Sequence, residues 1–318
     1  MLLFPNCKIN LGLNIFRKRE DGYHDLETVF YPVPLKDGLE IIREQSTVNS
    51  EPSTVNCLPF TDDRSEENSD TTPTALHNNR STVNGQRKTE NGVRLTTSGL
   101  IINGNSEDNL CIKAYYLLKK DFPSLPNIQM HLHKVIPMGA GLGGGSADGA
   151  FALKLLNYIF HLKLSSQQLI DYALQLGSDC PFFILNKPCF ATGRGEKMEE
   201  MALDLSAYQF VIINPKIHIG TGWAFGNITP KIPSQSIKNI ITQPIHTWKD
   251  TLLNDFEPPA IHHYPEIGAI KKELYRQGAV YSSMTGSGST VFGIFEKAIN
   301  PTLSFPEYYF LYNTSTAQ

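Results

Sequence analysis

Residues 137–148 read Pro137-Met138-Gly139-Ala140-Gly141-Leu142-Gly143-Gly144-Gly145-Ser146-Ala147-Asp148, with five glycines in seven positions. Before them, residues 129–136 alternate Met130, Leu132 and Lys134 against His131, His133 and Val135, the period of a strand. After them, Ala150, Phe151, Leu155, Ile159 and Leu162 share one stripe of a helix over 147–162. A glycine loop between strand and helix turns successive backbone N–H groups to one side, and the helix N-terminus adds positive partial charge. The pattern points to a phosphate cradle. No Gly-Lys-Ser/Thr closes it, so it is not a Walker A loop. Gly139-x-Gly141-x-x-Gly144 matches the dinucleotide fingerprint by letter, but the helix runs into Lys163-Leu-Ser-Ser instead of a second strand ending in an acidic residue. Close packing of a helix on a strand would account for one or two glycines, not five.

The rest of the chain narrows the class. Its 318 residues suggest about two domains. With 41% hydrophobic residues it can bury a full core, and a net charge of −3 gives no footprint for nucleic acid. No apolar run reaches the roughly 18 residues of a membrane span, and the start MLLFPNCKIN resembles neither a signal nor a transit peptide. The five cysteines (Cys7, Cys57, Cys111, Cys180, Cys189) are scattered without a CxxC pair, which fits a reducing cytoplasm rather than zinc or disulfides. His131/His133 and His262-His263 lack a third ligand at metal spacing and read as structural.

Residues 45–98 differ from their surroundings. They are rich in Ser, Thr, Asn, Asp and Glu, and Ser-Thr-Val-Asn occurs at 46–49, 53–56 and 81–84. Such a composition buries too little apolar area to offset its ordering entropy, so a disordered surface insertion is expected. Elsewhere strands are expected at 7–17, 39–42, 210–214, 279–284 and 290–295, and helices at 108–122, 166–176 and 267–277. This irregular interleaving predicts an α+β fold rather than a barrel or a regular βαβ array. Two domains are expected, 1–190 carrying the glycine loop and 191–318 forming a smaller α+β unit.

The glycine loop resembles the ATP-binding loop of the GHMP small-molecule kinases (galactokinase, homoserine kinase, mevalonate kinase and relatives). Met284-Thr-Gly-Ser-Gly-Ser-Thr-Val-Phe-Gly resembles that family's third glycine motif. Cys7-Lys8-Ile9-Asn10-Leu11-Gly12-Leu13 and Arg19-Glu20-Asp21-Gly22-Tyr23-His24-Asp25-Leu26-Glu27-Thr28 are similar to the branch whose substrate carries a cytidine diphosphate group, in isoprenoid precursor synthesis. The similarity spans nearly the whole chain apart from 45–98 and the last dozen residues. Cys7 and Gly149 stand where the family usually has Ala; neither supplies a reacting side chain.

The resemblance implies ATP and Mg²⁺ and assigns roles. Lys8 and Asp179 take the catalytic positions. Phosphoryl transfer needs a carboxylate to accept the hydroxyl proton and a cation to offset developing charge. Read locally, Asp179 before Pro181 is as well explained as a helix N-cap. Lys8 and Asn10, two apart on a strand, share a face. Tyr23 is placed against the cytosine, with His24 at its polar edge, Phe225 on the second face and Thr221 beside it; without the resemblance, Tyr23 reads as packing a turn. Asn10 is assigned to the substrate, and Lys134 and Asn109 to the nucleotide with residues 137–147. Ser146 is a candidate for Mg²⁺. Gly286 and Gly288 are expected to face the cleft. The rivals are a homoserine- or mevalonate-type kinase, whose substrates have no base to stack, and a non-catalytic nucleotide-binding protein on the same fold.

Overall fold

The structure, a computed structural model, describes residues 1–44, 84–88 and 92–315. Its longest strands among the described residues are two of thirteen residues, Asn6–Lys18 and His24–Lys36, paired antiparallel around the Asp21-Gly22 turn. Cys7, Ile9 and Leu11 point into the apolar core at 0% exposure, which sends Lys8 and Asn10 to the opposite side. The register shifts between Leu11 and Leu13, where Gly12 has φ +71°. The strand Cys189–Gly193 pairs with His24–Lys36, and Lys197–Glu200 completes this four-stranded sheet.

A second sheet has five strands, in the order Leu2–Leu3, Gly38–Arg43, Ile128–Lys134, Val93–Gly99 and Asn84–Lys88. Only Val93–Gly99 and Ile128–Lys134 run parallel, and the helix Leu110–Asp121 lies in the connection between them. One face of this sheet (Leu39, Ile41, Val93, Leu95, Met130, Leu132) packs on Leu110–Asp121, Gly144–Ile159, Ser166–Leu176 and Cys180–Leu185. The third sheet orders Tyr281–Met284, Val291–Glu296, Tyr208–Asn214 and Phe310–Asn313, all antiparallel. Phe210, Ile212, Phe292 and Ile294 on one of its faces meet Cys7, Ile9, Val29 and Val33 of the long hairpin. Val211, Ile213 and Val291 on the other face pack on Ile267, Ile270 and Leu274 of the helix Pro265–Arg276. Strands and helices mix without a repeating βαβ unit, as an α+β fold requires.

Several local readings change. The helix after the glycine loop begins at Gly144, three residues earlier than its apolar stripe suggests, because the last glycines and Ser146 form its first turn. The strand His24–Lys36 carries Pro32 and Pro34, which punctuate the sequence; the register shift between Asn6 and Cys7 accommodates them at the end of the pairing. The expected insertion reaches too far. Val93 and Leu95 are 2% and 4% exposed inside a core strand, and Asn84–Lys88 pairs with it. The remainder of the expected insertion, 45–83 and 89–91, lies outside the described residues. A division at 190 falls inside the strand Cys189–Gly193, so the sheet stays whole only if the chain is divided after Glu200.

Asn254 fastens the second glycine turn. Its Nδ2 donates to the carbonyls of Met284 (2.8 Å) and Gly286 (2.9 Å), and its Oδ1 accepts the Phe256 N–H (3.0 Å), all at 2% exposure. On either side of it, Leu13 N–H donates to Leu253 O and Asp255 N–H to Leu13 O, both at 2.8 Å. Asn254→Ala takes a donor from two buried carbonyls and an acceptor from a buried N–H, so it should lower unfolding free energy by about 2–3 kcal/mol. Urea titration of both proteins checks this. A shift inside experimental error would show that the turn holds its shape without the amide.

Candidate active site

The glycine loop takes its shape from three residues in the left-handed region: Gly139 (φ +61°), Gly141 (+77°) and Gly143 (+69°), the last being the N-cap of Gly144–Ile159. Gly141 is fixed by crowding as well. A Cβ there would sit 2.1 Å from the Thr285 carbonyl oxygen, so the two glycine turns touch backbone to backbone. Around this contact the loop's carbonyls are taken up by Lys8. Its N–H donates to Leu142 O (3.0 Å), and its Nζ to Gly141 O (3.1 Å). The sixteen-residue helix leaves its N-terminal N–H groups toward the cleft, an anion-binding geometry.

Lys8 Nζ uses three directions. It donates to Asn10 Oδ1 (2.7 Å) and Gly141 O, and it lies 3.5 Å from Asp179 Oδ2. The Phe30 ring lies beneath it, 5.0 Å to the centroid. The Lys8 side chain is 4% exposed and Asp179 37%, so the carboxylate faces the cleft while the ammonium approaches from within. Asp179 does occupy the N-cap position of Cys180–Leu185, but its side chain makes no capping hydrogen bond. The carboxylate is turned to the lysine. Asn10, assigned to the substrate, is 2% exposed and spends its amide on protein: Oδ1 holds Lys8, and Nδ2 donates to Thr28 Oγ1 (3.0 Å).

Lys134, assigned to the nucleotide, lines a cavity beside the glycine loop. Its ammonium is buried between Asp37 and Asp148, 2.7 Å from Asp148 Oδ2, with both carboxylates almost fully covered. Asp37 Oδ1 accepts the N–H groups of Val135 (2.6 Å) and Ile136 (2.8 Å), which pins the chain as it enters the loop. Lys134 therefore braces the cradle from behind, and its charge is already committed. Burial acts to lower the Lys134 ammonium, but Asp148 and Asp37 together raise it. One ammonium serves two carboxylates, and Asp148 is the less satisfied because its Oδ1 has no partner among the described residues. Burial pushes the Asp148 carboxyl up to about 7, opposed by Lys134 and assisted by Asp37. Asn109, the other nucleotide assignment, caps Leu110–Asp121 by accepting the Cys111 N–H (2.9 Å).

The far end of the cleft is aromatic. Asp21 Oδ1 accepts the Tyr23 N–H (3.1 Å) and Gly22 has φ +83°, which sets Tyr23 and His24 at the hairpin turn. Tyr23 is 53% exposed, with the Arg194 guanidinium 4.7 Å from its ring centroid. Phe225 stacks on His24 (4.5 Å, 17°) and is backed edge-on by Phe256 (4.9 Å). Tyr23 and Phe225 thus both line the cleft, yet the ring against Phe225 is His24. Burial, then Lys18, lowers the His24 pKa from its ordinary value. Thr221 opens the helix Thr221–Gly226 on the same wall.

A cleft of about 1150 Å³ joins these groups: Lys8, Asp179, Gly139–Gly141 and Gly143–Ser146 at one end, Tyr23, His24, Thr221 and Phe225 at the other. A second cavity of about 660 Å³ adjoins it at Leu110, Met138 and Gly145, and includes Asn109 and the apolar Leu95, Ile101 and Ile102. Gly286 lines the main cleft; Gly288 is instead packed on Met284 and Ile219. Phe30, Asp37, Asp148, Arg194 and Thr285 were missed by sequence reading, since each acquires its role from a neighbour distant in the chain. Among the described residues no cluster of three or more His, Cys, Asp or Glu gathers for a metal. His131 and His133 are instead bridged by the Ser98 hydroxyl at 2.9 Å each.

The buried trio has a pH signature. In the folded protein Asp148 keeps its proton up to about pH 7, whereas in the unfolded chain it loses it near ~4. Its contribution to stability is thus complete below ~4 and disappears as pH rises through about 7. Relative to Asp148→Asn, which cannot ionise, the unmodified protein should lose stability between pH 5 and pH 8. Urea midpoints of both proteins at the two pH values measure this, and a relative gain at pH 8 would contradict the raised carboxyl.

Comparison with known proteins places this geometry. Residues 109–187 match the GHMP kinases N terminal domain, and residues 236–301 match GHMP kinases C terminal. The chain is 48% identical over 296 residues to the 4-diphosphocytidyl-2-C-methyl-D-erythritol kinase of Bacteroides thetaiotaomicron, covering 93% of this chain and 92% of that one. To the Bacteroides fragilis protein of the same name it is 45% identical over 295 residues, with the same coverage. A crystal structure of 4-(cytidine 5'-diphospho)-2C-methyl-D-erythritol kinase superposes with a TM-score of 0.69 at 26% identity, over 92% of this chain and 90% of that one. By these relatives the chain belongs to the 4-diphosphocytidyl-2-C-methyl-D-erythritol kinase family, a branch of the GHMP kinases.

Proposed function

We propose that this protein transfers the γ-phosphoryl group of ATP to the 2-hydroxyl of 4-diphosphocytidyl-2-C-methyl-D-erythritol, in the methylerythritol phosphate route to isoprenoid precursors. The observation that carries this reading is the 3.5 Å approach of Lys8 to Asp179 at the end of a glycine cradle, with an aromatic wall at the other end of the same cleft.

Each group has one task. The loop N–H groups and the N-terminus of Gly144–Ile159 bind the triphosphate. The adjoining cavity, apolar at Leu95, Ile101 and Ile102, takes the nucleoside of ATP. Asp179 accepts the proton of the substrate 2-hydroxyl as its oxygen bonds to the γ-phosphorus; the bond from that phosphorus to the β-phosphate oxygen breaks and ADP departs. Lys8, fixed by Asn10 and Gly141 O, holds Asp179 in place and offsets charge on the transferring group. Tyr23 supplies an exposed flat face for the cytosine, His24 backed by Phe225 supplies the ring beside it, and Thr221 adds a hydroxyl.

The reacting end has an oxygen donor suited to Mg²⁺, which binds through one or two protein oxygens plus substrate phosphates: the Ser146 hydroxyl would hold it, leaving Asp179 free to take the proton. When bound, Mg²⁺ would neutralise charge on the phosphates. Cys7, Cys111, Cys180 and Cys189 are all free and buried, which supports a cytoplasmic enzyme. Among the described residues no helix is long and apolar enough to cross a membrane.

The test is a coupled assay of ADP release offered the cytidyl substrate, mevalonate or homoserine. Turnover should be confined to the cytidyl substrate. Asp179→Asn should keep ATP binding and lose about 10²–10⁴-fold in turnover, the usual cost of removing a general base. Preferential turnover of mevalonate or homoserine would overturn the substrate, and an active, folded Asn variant would overturn the role of Asp179.

A further inference from the structure

The cleft has two described ends, and the turn at 194–196, which joins the strands Cys189–Gly193 and Lys197–Glu200, has no assigned task. The strand Cys189–Gly193 pairs with the long hairpin so that Thr192 faces Glu27 and Gly193 faces Leu26. This register carries the following residues, Arg194 and Gly195, to the wall between Tyr23 and Lys8. Arg194 stacks on Tyr23 at 4.7 Å. Gly195 lies against Phe30, whose Cζ would be 3.7 Å from a Cβ there, and Phe30 is the ring beneath the Lys8 ammonium. Two consecutive residues thus bridge the aromatic end and the reacting end, and both line the cleft.

The order of groups along this wall matches the order along the substrate. Taken at its name, that molecule runs from cytidine through a diphosphate to the polyol bearing the reacting hydroxyl. With the base at Tyr23 and the hydroxyl at Asp179, the diphosphate passes over Arg194. We infer that Arg194 is a specificity-determining residue that pairs with the substrate diphosphate, its flat face resting on the Tyr23 ring. The inference rests on the function proposed above. A guanidinium can do both at once, since its rim donates hydrogen bonds while its face stacks. Asp21, whose carboxyl the Arg194 charge helps to lower, is hydrogen-bonded by Arg19 (2.8 Å) and the Tyr23 N–H, and Glu196 accepts the backbone N–H of Arg194 (2.5 Å). Lys18 also lines the cleft, but it sits opposite His24 in the hairpin register, at the base end.

The experiment compares binding of cytidine and of cytidine diphosphate to the full chain and to its Arg194→Gln and Arg194→Lys variants, by calorimetry, with steady-state kinetics alongside. Arg194→Gln should weaken cytidine diphosphate by about tenfold or more and cytidine by less than about twofold. KM for the substrate should rise by a similar factor, with kcat and the KM for ATP nearly unchanged. Arg194→Lys, which keeps the charge, should recover most of the lost diphosphate affinity. Equal weakening of both ligands would overturn the proposal and leave Arg194 as a prop for Tyr23. Unchanged binding of both would overturn it too, leaving the kinase reading intact. An unmodified protein that bound neither ligand would overturn the cytidyl reading and this inference together.

Discussion

The cleft depends on a contact between backbones. Gly141 and Thr285 meet so closely that no side chain fits between them, and the Thr285 hydroxyl joins a third partner at the same point. It accepts the Asn10 N–H at 2.9 Å and lies 3.2 Å from both Gly141 O and Asn10 Oδ1. Three segments separated by more than a hundred residues each are thereby fixed relative to one another. Asn10 in turn orients Lys8, and Lys8 reaches Asp179. With this contact opened, the reacting pair and the phosphate cradle would lose their common frame. Glycine is required at 141 because only a residue without Cβ permits the approach, and because φ +77° is costly for any other.

Charge is handled differently at the two sides of the loop. On the cleft side, Lys8 and Asp179 are paired loosely and one partner is open to ligand, so the pair remains available for chemistry. On the buried side, Lys134, Asp37 and Asp148 are closed to solvent and committed to one another. A buried arrangement of this kind contributes little net stability, since desolvation offsets much of the attraction, but it gives the strand end and the helix one definite geometry. The N–H groups of Val135 and Ile136, just before the loop, are held by the same Asp37. The two lysines beside the loop thus stand differently: Lys8 reaches a carboxylate that faces the cleft, and Lys134 is closed between two buried carboxylates.

The extent to which the site was legible varies residue by residue. The five glycines point to an anion cradle through the backbone conformation they permit, and three of them, Gly139, Gly141 and Gly143, adopt the left-handed region. The alternation around Lys8 and Asn10 told that they share a face, and the structure joins them at 2.7 Å. Lys134 is given to the nucleotide by the resemblance alone; the structure adds two carboxylates that pair with its ammonium, beside the cavity it lines. Asp179 had two local readings, and only the position of a strand 170 residues earlier separates them. The strand Val93–Gly99 was hidden because its apolar residues alternate with threonines and arginine at the end of a long polar stretch.

By itself the sequence determined the elements whose cause is local: the glycine loop, the capped and stripe-bearing helices, the alternating strands and the Asp-Gly turn that presents Tyr23 and His24. These follow from φ/ψ preference and from periodicity, which a short window contains. Only the tertiary structure decided which charges face the cleft and which are buried, that Phe225 lies on His24, and that Arg194 stands between the two ends of the cleft. Those outcomes depend on sheet register and on contacts between segments such as Gly141 and Thr285. A charged side chain looks the same in sequence whether its partner is water, a ligand or a buried carboxylate, and packing alone makes the choice.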